Sequence, residues 1–141
     1  MTMPNRMIEI HDSSLESLAV EVGHVVLNLS AYIHQSEGRP GIDPGTGWTQ
    51  HAVIRIRGEV AAGELTNLPR VLLDGYLELD GQELDNEIPI PLSFTGDVEL
   101  ALTSDFGETI KIRGNHIALG LLHEPEYVEK FPGADQPKID D

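Results

Sequence analysis

Residues 25–34 of this chain read Val-Val-Leu-Asn-Leu-Ser-Ala-Tyr-Ile-His, and this stretch decides the fold. In a β-strand, side chains two positions apart point to the same face of the sheet. The alternation therefore predicts a long strand that turns polar residues such as Asn28, Ser30 and His34 outward. The inward, core-facing set is Val25, Leu27, Leu29, Ala31 and Ile33.

The same alternation recurs along the chain and predicts about eight short strands. In residues 71–79 it places Val71, Leu73, Leu77 and Leu79 in the core. Asp80-Gly81 has the composition of a two-residue hairpin turn, in which positive φ favours glycine. The remaining strand segments are residues 18–22, 52–57, 88–94, 98–102, 110–112 and 117–121. Such short, turn-separated strands are typical of an all-β antiparallel sandwich or flattened barrel.

Two parts of the chain depart from the strand pattern. Pro89 and Pro91 cannot donate to a sheet ladder, so residues 88–94 should form an edge strand or an extended crossing segment. Residues 124–131 have a proline near the first turn, early acids and a late lysine, which predict one short C-terminal helix. The length of 141 residues suits one domain, so we expect a single β domain over residues 1–131 and a polar tail over 132–141.

The charge of the chain is strongly acidic, with 9 basic and 24 acidic residues and a net charge of −15. Residues 71–110 contain no lysine or arginine. Their ten carboxylates are Asp74, Glu78, Asp80, Glu83, Asp85, Glu87, Asp97, Glu99, Asp105 and Glu108. Such a surface attracts basic partners and repels nucleic acid and anionic lipid. The scattered basic residues also fail to form a phosphate-binding patch, so we expect neither a nucleic-acid nor a membrane partner.

Several classes of protein are disfavoured by what the sequence lacks. The chain has no cysteine, which removes disulfides, thiolate zinc sites and cysteine nucleophiles. No export signal or long apolar run is visible, so a cytoplasmic location is expected. His11, Asp12 and Ser13 are adjacent in an extended chain and point apart, and no nucleophile elbow is present. We therefore expect a protein that is not an enzyme and needs no cofactor.

The leading hypothesis is a non-enzymatic binding protein that presents an acidic face to a basic protein partner. Concentrated charge of one sign speeds encounter with such a partner and helps to exclude wrong ones. Tyr76 is the expected anchor, because aromatic residues dominate the energetics of interfaces. The predicted contact residues are Asp74, Tyr76, Glu78, Asp80, Glu83 and Asp85.

The alternative hypothesis is a small-ligand or carbohydrate-binding protein that uses residues 36–48. This thirteen-residue connection contains four glycines and two prolines, whereas hairpin loops usually take two to five residues. Long connections in compact domains are often functional. The candidate ligand residues are Arg39, Asp43 and Trp48, with His34 and His51 flanking the loop.

Two groups of residues carry side chains of the kind that bind metal ions. His34 and His51, together with Glu37, Asp43 or the distant pair His11-Asp12, could supply imidazole and carboxylate ligands. No local metal-binding spacing is present, so no metal site is predicted. Oxygen ligands suited to calcium are also concentrated in the acidic stretch, where their spacing fails the EF-hand pattern. They are Asp80, Glu83, Asp85, Asn86 and Glu87. Calcium dependence therefore stays attached to the alternative hypothesis.

The opening Ile10-His-Asp-Ser-Ser-Leu-Glu-Ser-Leu18, followed by a predicted hairpin, resembles small β-rich bacterial proteins of uncharacterised function. The resemblance covers residues 10–35. Some members of that group look like immunity proteins, which neutralise a toxin partner. The resemblance implies a β-rich fold and a protein partner, and it transfers no catalytic residue. Exposed sheet edges could also allow pairing with a second copy of the chain.

Overall fold

The computed structural model describes residues 4–133. Over these residues the chain forms eight antiparallel strands in one sheet and no helix. Among these residues, no helix has the length and apolar character needed to span a membrane. In chain order the strands are β1 Asn5–Glu21, β2 His24–Ser36, β3 Gly45–Gly63, β4 Arg70–Leu79, β5 Gln82–Asp85, β6 Glu87–Ile90, β7 Ser93–Ser104 and β8 Thr109–Phe131.

The strand order across the sheet is β5-β4-β7-β8-β3-β2-β1-β6. β4 also pairs with β1, through Ser14 opposite Val71 and Leu15 opposite Arg70. This second pairing links the two sides of the order, so that the six inner strands form a closed ring of pairings. The two short strands β5 and β6 remain at the edges.

The core matches the predicted period-two pattern. The inward set of β2 is at most 2% exposed, and Ala52, Ile54 and Ile56 of β3 are fully buried beside it. Leu100 and Leu102 of β7 with Ile112 and Ile117 of β8 complete this layer. Burying one such aliphatic side chain contributes roughly 1.5–3 kcal/mol, so this layer is the main stabilising feature of the fold.

The predicted inward set of β4 is wrong in its first half. Val71 and Leu73 are 49% and 48% exposed, whereas Leu72 is fully buried. The pairing of β4 with β7 shifts register between Leu72 and Asp74. Such a β-bulge adds one residue and moves the alternation by one position. Beyond the bulge, Leu77 is buried as predicted.

The predicted C-terminal helix is also wrong. Residues 124–131 are extended and form the last part of β8, where Tyr127 lies opposite Trp48 and Phe131 lies opposite Gly45 of β3. The Trp48 and Tyr127 rings meet edge to face at 5.3 Å between centroids. Pairing with β3 and aromatic packing therefore override a weak local helix signal. The predicted strands at 110–112 and 117–121 are parts of the same β8, and residues 134–141 of the predicted tail lie outside the described residues.

The Asp80-Gly81 turn prediction is confirmed, and the edge-strand prediction for residues 88–94 holds only for their first part, because residues 93 and 94 belong to β7 inside the sheet order. Asp80 and Gly81 have φ values of 49° and 82°, and Leu79 pairs with Gln82 across them to form the β4–β5 hairpin. Pro89 lies in β6, which is an edge strand at the end of the sheet order. A proline at an edge leaves no ladder hydrogen bond unmade.

Candidate functional site

The outward face of β5, β4 and β7 carries the predicted contact residues together with Glu99. We call this set, Asp74, Tyr76, Glu78, Asp80, Glu83, Asp85 and Glu99, the acidic face. Glu78 is the direct cross-strand neighbour of both Glu83 on β5 and Glu99 on β7. Three carboxylates therefore lie in one row across three strands. Like charges directly opposite each other in a sheet are destabilising, so this row is kept at a cost to the fold.

Three predicted contact residues also have local structural roles. Asp85 lies opposite Tyr76 on the β4–β5 hairpin. Asp80, in the hairpin turn, accepts a hydrogen bond from the backbone N–H of Asp97 at 2.8 Å. Asp74, at the bulge of β4, accepts one from the N–H of Gly75, also at 2.8 Å. Both carboxylates use one oxygen in these bonds and remain exposed to solvent.

Glu99 is the anchored member of the row. The Tyr76 hydroxyl donates to one of its oxygens, and Arg113 Nε on β8 donates to the other at 2.5 Å. These two bonds hold the pKa of Glu99 below its usual range. The bond to Glu99, more than desolvation, raises the pKa of Tyr76 to about 12. The Tyr76 hydroxyl is thus occupied within the sheet, which leaves only its ring for an anchoring contact.

An apolar patch lies beside the acidic face, at the bulged end of β4. Val71 and Leu73 are about half exposed, and Phe106 in the β7–β8 turn is 67% exposed. Asp105 N–H donates to the carbonyl of Val71 at 3.0 Å, which joins the turn to β4. The Arg70 guanidinium covers the Phe106 ring at 3.6 Å from its centroid. Sequence alternation missed this patch because it assigned Val71 and Leu73 to the core.

The predicted ligand loop is mainly held together by its own contacts. β2 ends at Ser36 and β3 begins at Gly45, so the connection is residues 37–44. Asp43 accepts the N–H of Arg39 at 2.6 Å, and Ser36 Oγ donates to the carbonyl of Pro44 at 2.7 Å. Arg39 itself is exposed. Asp43 therefore supports the path of the loop.

Trp48 lies inside β3, away from the other loop candidates. Its indole N–H donates to Thr46 Oγ1 at 2.7 Å, and its ring is half-buried. A cavity of about 170 Å³ lies against it, lined by Arg6, Ile33, Gln35, Trp48, Gln50 and Pro125. Gln50 Nε2 donates to the carbonyl of His123, while its buried Oε1 has no hydrogen-bond partner among residues 4–133.

The two flanking histidines lie apart. His51 approaches His123 at 5.8 Å between ring centroids. His34 belongs to the predicted outward face but is only 7% exposed, because Phe131 stacks on its ring at 5.1 Å. Gly41 of the loop covers it further: a Cβ there would lie 3.2 Å from His34 Nδ1. Burial lowers the pKa of His34.

A second cluster forms in β1, at a site that the sequence did not predict. Between Glu9 and Ser14 the pairing of β1 with β2 shifts register, and Asp12 adopts a φ of 83°. This bulge brings ligand atoms of Glu9, His11 and Asp12 within 4.8 Å of one another. The available signal was a change of parity in the buried positions, from Ile8 to Leu15, which marks an irregular strand.

Two polar side chains fix the bulge. Ser13 is fully buried; its hydroxyl donates to the carbonyl of Glu9 at 2.6 Å and accepts the N–H of Tyr32 at 2.9 Å. Asn86 Oδ1 accepts the N–H of His11 at 2.6 Å. Burial, reinforced by the charge of Asp12, raises the pKa of Glu9.

No family model, curated protein or solved structure matches this chain.

Proposed function

We propose that the protein is a non-enzymatic binding protein whose acidic face docks a basic protein partner. The observation that carries this proposal is the row of Glu83, Glu78 and Glu99 across three adjacent strands. Within residues 4–133, Arg113 with Glu99 is the ion pair found on this face. Lysine or arginine side chains of a partner would relieve the repulsion at Glu78 and Glu83.

The apolar patch adds hydrophobic contact area beside the charged residues of the acidic face. Val71, Leu73 and Phe106 form exposed apolar surface beside Asp74 and Asp105, and apolar surface rimmed by charge is typical of protein interfaces. Because the Tyr76 hydroxyl is occupied by Glu99, we assign the main anchoring role to Phe106. Aromatic side chains are enriched at such interfaces.

The fold supports a rigid presentation of this face. We infer that the ring of pairings, closed through Ser14 opposite Val71 and Leu15 opposite Arg70, is a flattened barrel rather than an open two-sheet sandwich. Contact residues on paired strands lose little freedom on binding, which favours affinity. Charged Glu83 and Asp85 on the β5 edge oppose pairing with a second copy, so any self-association would use β6.

A toxin-neutralising, immunity-like role in the cytoplasm is the specific form of the proposal that the resemblance of residues 10–35 favours. It requires a basic partner and no catalytic residue. The acidic face would supply the surface that docks such a basic partner.

The experiment is affinity capture at moderate salt with two charge-matched variants. Glu78→Lys with Glu83→Lys reverses the row, whereas Glu37→Lys with Glu124→Lys makes the same change of net charge at exposed positions elsewhere. We expect a basic protein that is retained by the wild type and by the second variant and lost by the first. Equal retention by all three proteins contradicts the proposal.

A small-ligand function at the cavity beside Trp48 is the second candidate. The lining of the cavity favours it, because polar side chains such as Arg6, Gln35 and Gln50 converge there beside the Trp48 ring. Trp48 is the one tryptophan of the chain, so its fluorescence reports on this cavity. Saturable change with a mono- or disaccharide, with or without calcium, supports this function; an unchanged spectrum with all of them rejects it.

A further inference from the structure

We propose that Glu9, His11 and Asp12 bind zinc or a similar divalent ion of the first transition row, which we call the zinc class. This site is separate from the acidic face and goes beyond the partner-binding function. It combines one imidazole with two carboxylates on a short irregular segment of β1.

The spacing of the donors suits a metal ion. All three ligand atoms lie within 4.8 Å of one another, and His11 Nδ1 is 3.3 Å from Asp12 Oδ1. Zinc bonds to nitrogen and oxygen of about 2.0–2.2 Å place neighbouring donors about 3–4 Å apart. Small rotations of His11 and Asp12, whose side chains are both 53% exposed, would complete that geometry.

The bulge is a built feature of the strand. In a regular strand, His11 and Asp12 would point to opposite faces. The positive φ of Asp12, the buried Ser13 hydroxyl and the Asn86 side chain together hold both on one side. Bulges of this kind commonly re-aim side chains at functional sites.

The local charge also favours a cation. Glu9 lies directly opposite Glu87 on β6, and Asp12 adds a further carboxylate beside it. Among the described residues, the ion-pair partners of Glu9 and Asp12 are histidines alone. The Glu9 side chain is only 19% exposed, so water poorly screens the repulsion between its carboxylate and those of Asp12 and Glu87. A bound dication would neutralise the cluster.

His34 is a buried polar side chain that contacts the Glu9 end of the cluster. Its ring is 7% exposed, Nε2 lies 3.3 Å from Glu9 Oε2, and Nδ1 has no hydrogen-bond partner in the described part of the chain. A proton on Nε2 would face the Glu9 carboxylate, at a distance from which a hydrogen bond could form. Metal-binding carboxylates are commonly oriented by a hydrogen bond of this kind from outside the ligand set. His34 is thus a positioning residue for Glu9.

The ligand set selects the class of metal. Imidazole favours zinc and its neighbours in the first transition row, whereas calcium and magnesium prefer oxygen ligands throughout. Three protein ligands leave at least one coordination position for water. We therefore expect zinc to bind and calcium and magnesium to bind much more weakly.

The test is calorimetric titration of the full chain with zinc chloride, together with the visible spectrum of the cobalt(II) form. The variants His11→Gln and Asp12→Asn change exposed side chains and should fold normally. The control variant, His51→Gln with His123→Gln, removes the other close pair of histidines. We expect one zinc per chain in the wild type and in the control, and at least tenfold weaker binding in His11→Gln and Asp12→Asn.

A further variant, His34→Gln, separates positioning from ligation. It should weaken zinc binding by about 10–100-fold, as for other groups that orient a metal ligand, and should leave one site per chain. The proposal is overturned if the wild type does not bind zinc, if His11→Gln binds as tightly as the wild type, or if the control variant loses the site. Equal affinity for calcium would overturn the assignment to the zinc class.

Discussion

Asn86 holds His11 in place from 75 residues away, through a 2.6 Å hydrogen bond from the His11 N–H to its side-chain oxygen. The same residue accepts the N–H of Ile10 on its backbone carbonyl at 3.0 Å and donates its own N–H to the carbonyl of Gly75 at 2.9 Å. Asn86 therefore joins β1 to β4 next to the short stretch where those strands pair directly. It also connects β5, on the acidic face, to β6, beside the β1 bulge.

Replacing Asn86 should destabilise the fold in two separable steps. Asn86→Gly removes the side-chain bond to the N–H of His11, which is exposed, at a cost of about 0.5–1.5 kcal/mol. Asn86→Ala should cost more, because the residue has a φ of 60° that a β-carbon disfavours. Urea unfolding of both variants measures this order. Equal stability of Asn86→Gly and the wild type would show that the side-chain bond contributes nothing.

Gly58 and Gly120 form a matched pair for alanine substitution. A Cβ on Gly58 would lie 2.0 Å from the backbone oxygen of Arg113, whereas a Cβ on Gly120 would meet nothing within 4 Å. Gly58→Ala must push β3 away from β8 and should lower stability by more than about 2 kcal/mol. Gly120→Ala should be neutral or stabilise by up to about 1 kcal/mol. Thermal unfolding of the two variants tests the prediction, and similar melting temperatures would contradict this β3–β8 packing.

The pH dependence of stability should depend on Glu99. Its folded pKa lies below the ordinary value of 4.5, because Tyr76 and Arg113 stabilise the carboxylate. Glu99 therefore stabilises the fold fully above about pH 4.5 and loses this effect as the pH falls through the lower folded value. Glu99→Gln should destabilise the protein at pH 7, and the difference from wild type should shrink toward pH 3. A difference that is constant with pH would contradict the sign of the shift.

Phe106 should matter for binding and little for folding. The side chain is 67% exposed, so Phe106→Ala removes little buried surface and mainly loses the Arg70 contact, and it should change the free energy of unfolding by no more than about 1 kcal/mol. Loss of an anchoring aromatic typically weakens a complex by about 2 kcal/mol or more. Capture of the basic partner by Phe106→Ala, measured at equal protein concentration, checks this. Undiminished capture by this variant would show that Phe106 is not the main anchoring residue.

The strand pattern of the sequence was sufficient to predict an all-β antiparallel fold with the correct inward residues on β2 and β3. It failed where the strands are irregular. Because of the bulge between Leu72 and Asp74, the predicted inward and outward faces were exchanged in the first half of β4. Because of the bulge after Glu9, the alternation did not reveal where β1 begins. Residues 124–131 have helix-like composition, and only their partner β3 makes them a strand.

The two candidate sites also differ in whether the sequence could predict them. The acidic face could be predicted because Glu78 and Glu83 share strand parity across a recognisable hairpin. The cluster of Glu9, His11 and Asp12 could not, since it depends on a positive φ at Asp12 and on a contact with Asn86 far along the chain. Period-two reasoning assumes regular pairing, and both features violate it.

Zero-length crosslinking tests the central claim most directly. Carbodiimide activation joins a carboxylate to a lysine that already touches it, so the linked residues identify the contact surface in the assembled complex. We expect crosslinks from Glu78, Glu83 and Asp85 to lysines of one basic partner, and few from Glu37 and Glu124, although these two are at least as exposed. Crosslinks concentrated at Glu37 and Glu124, or joining the acidic face only to a second copy of this chain, would contradict the account.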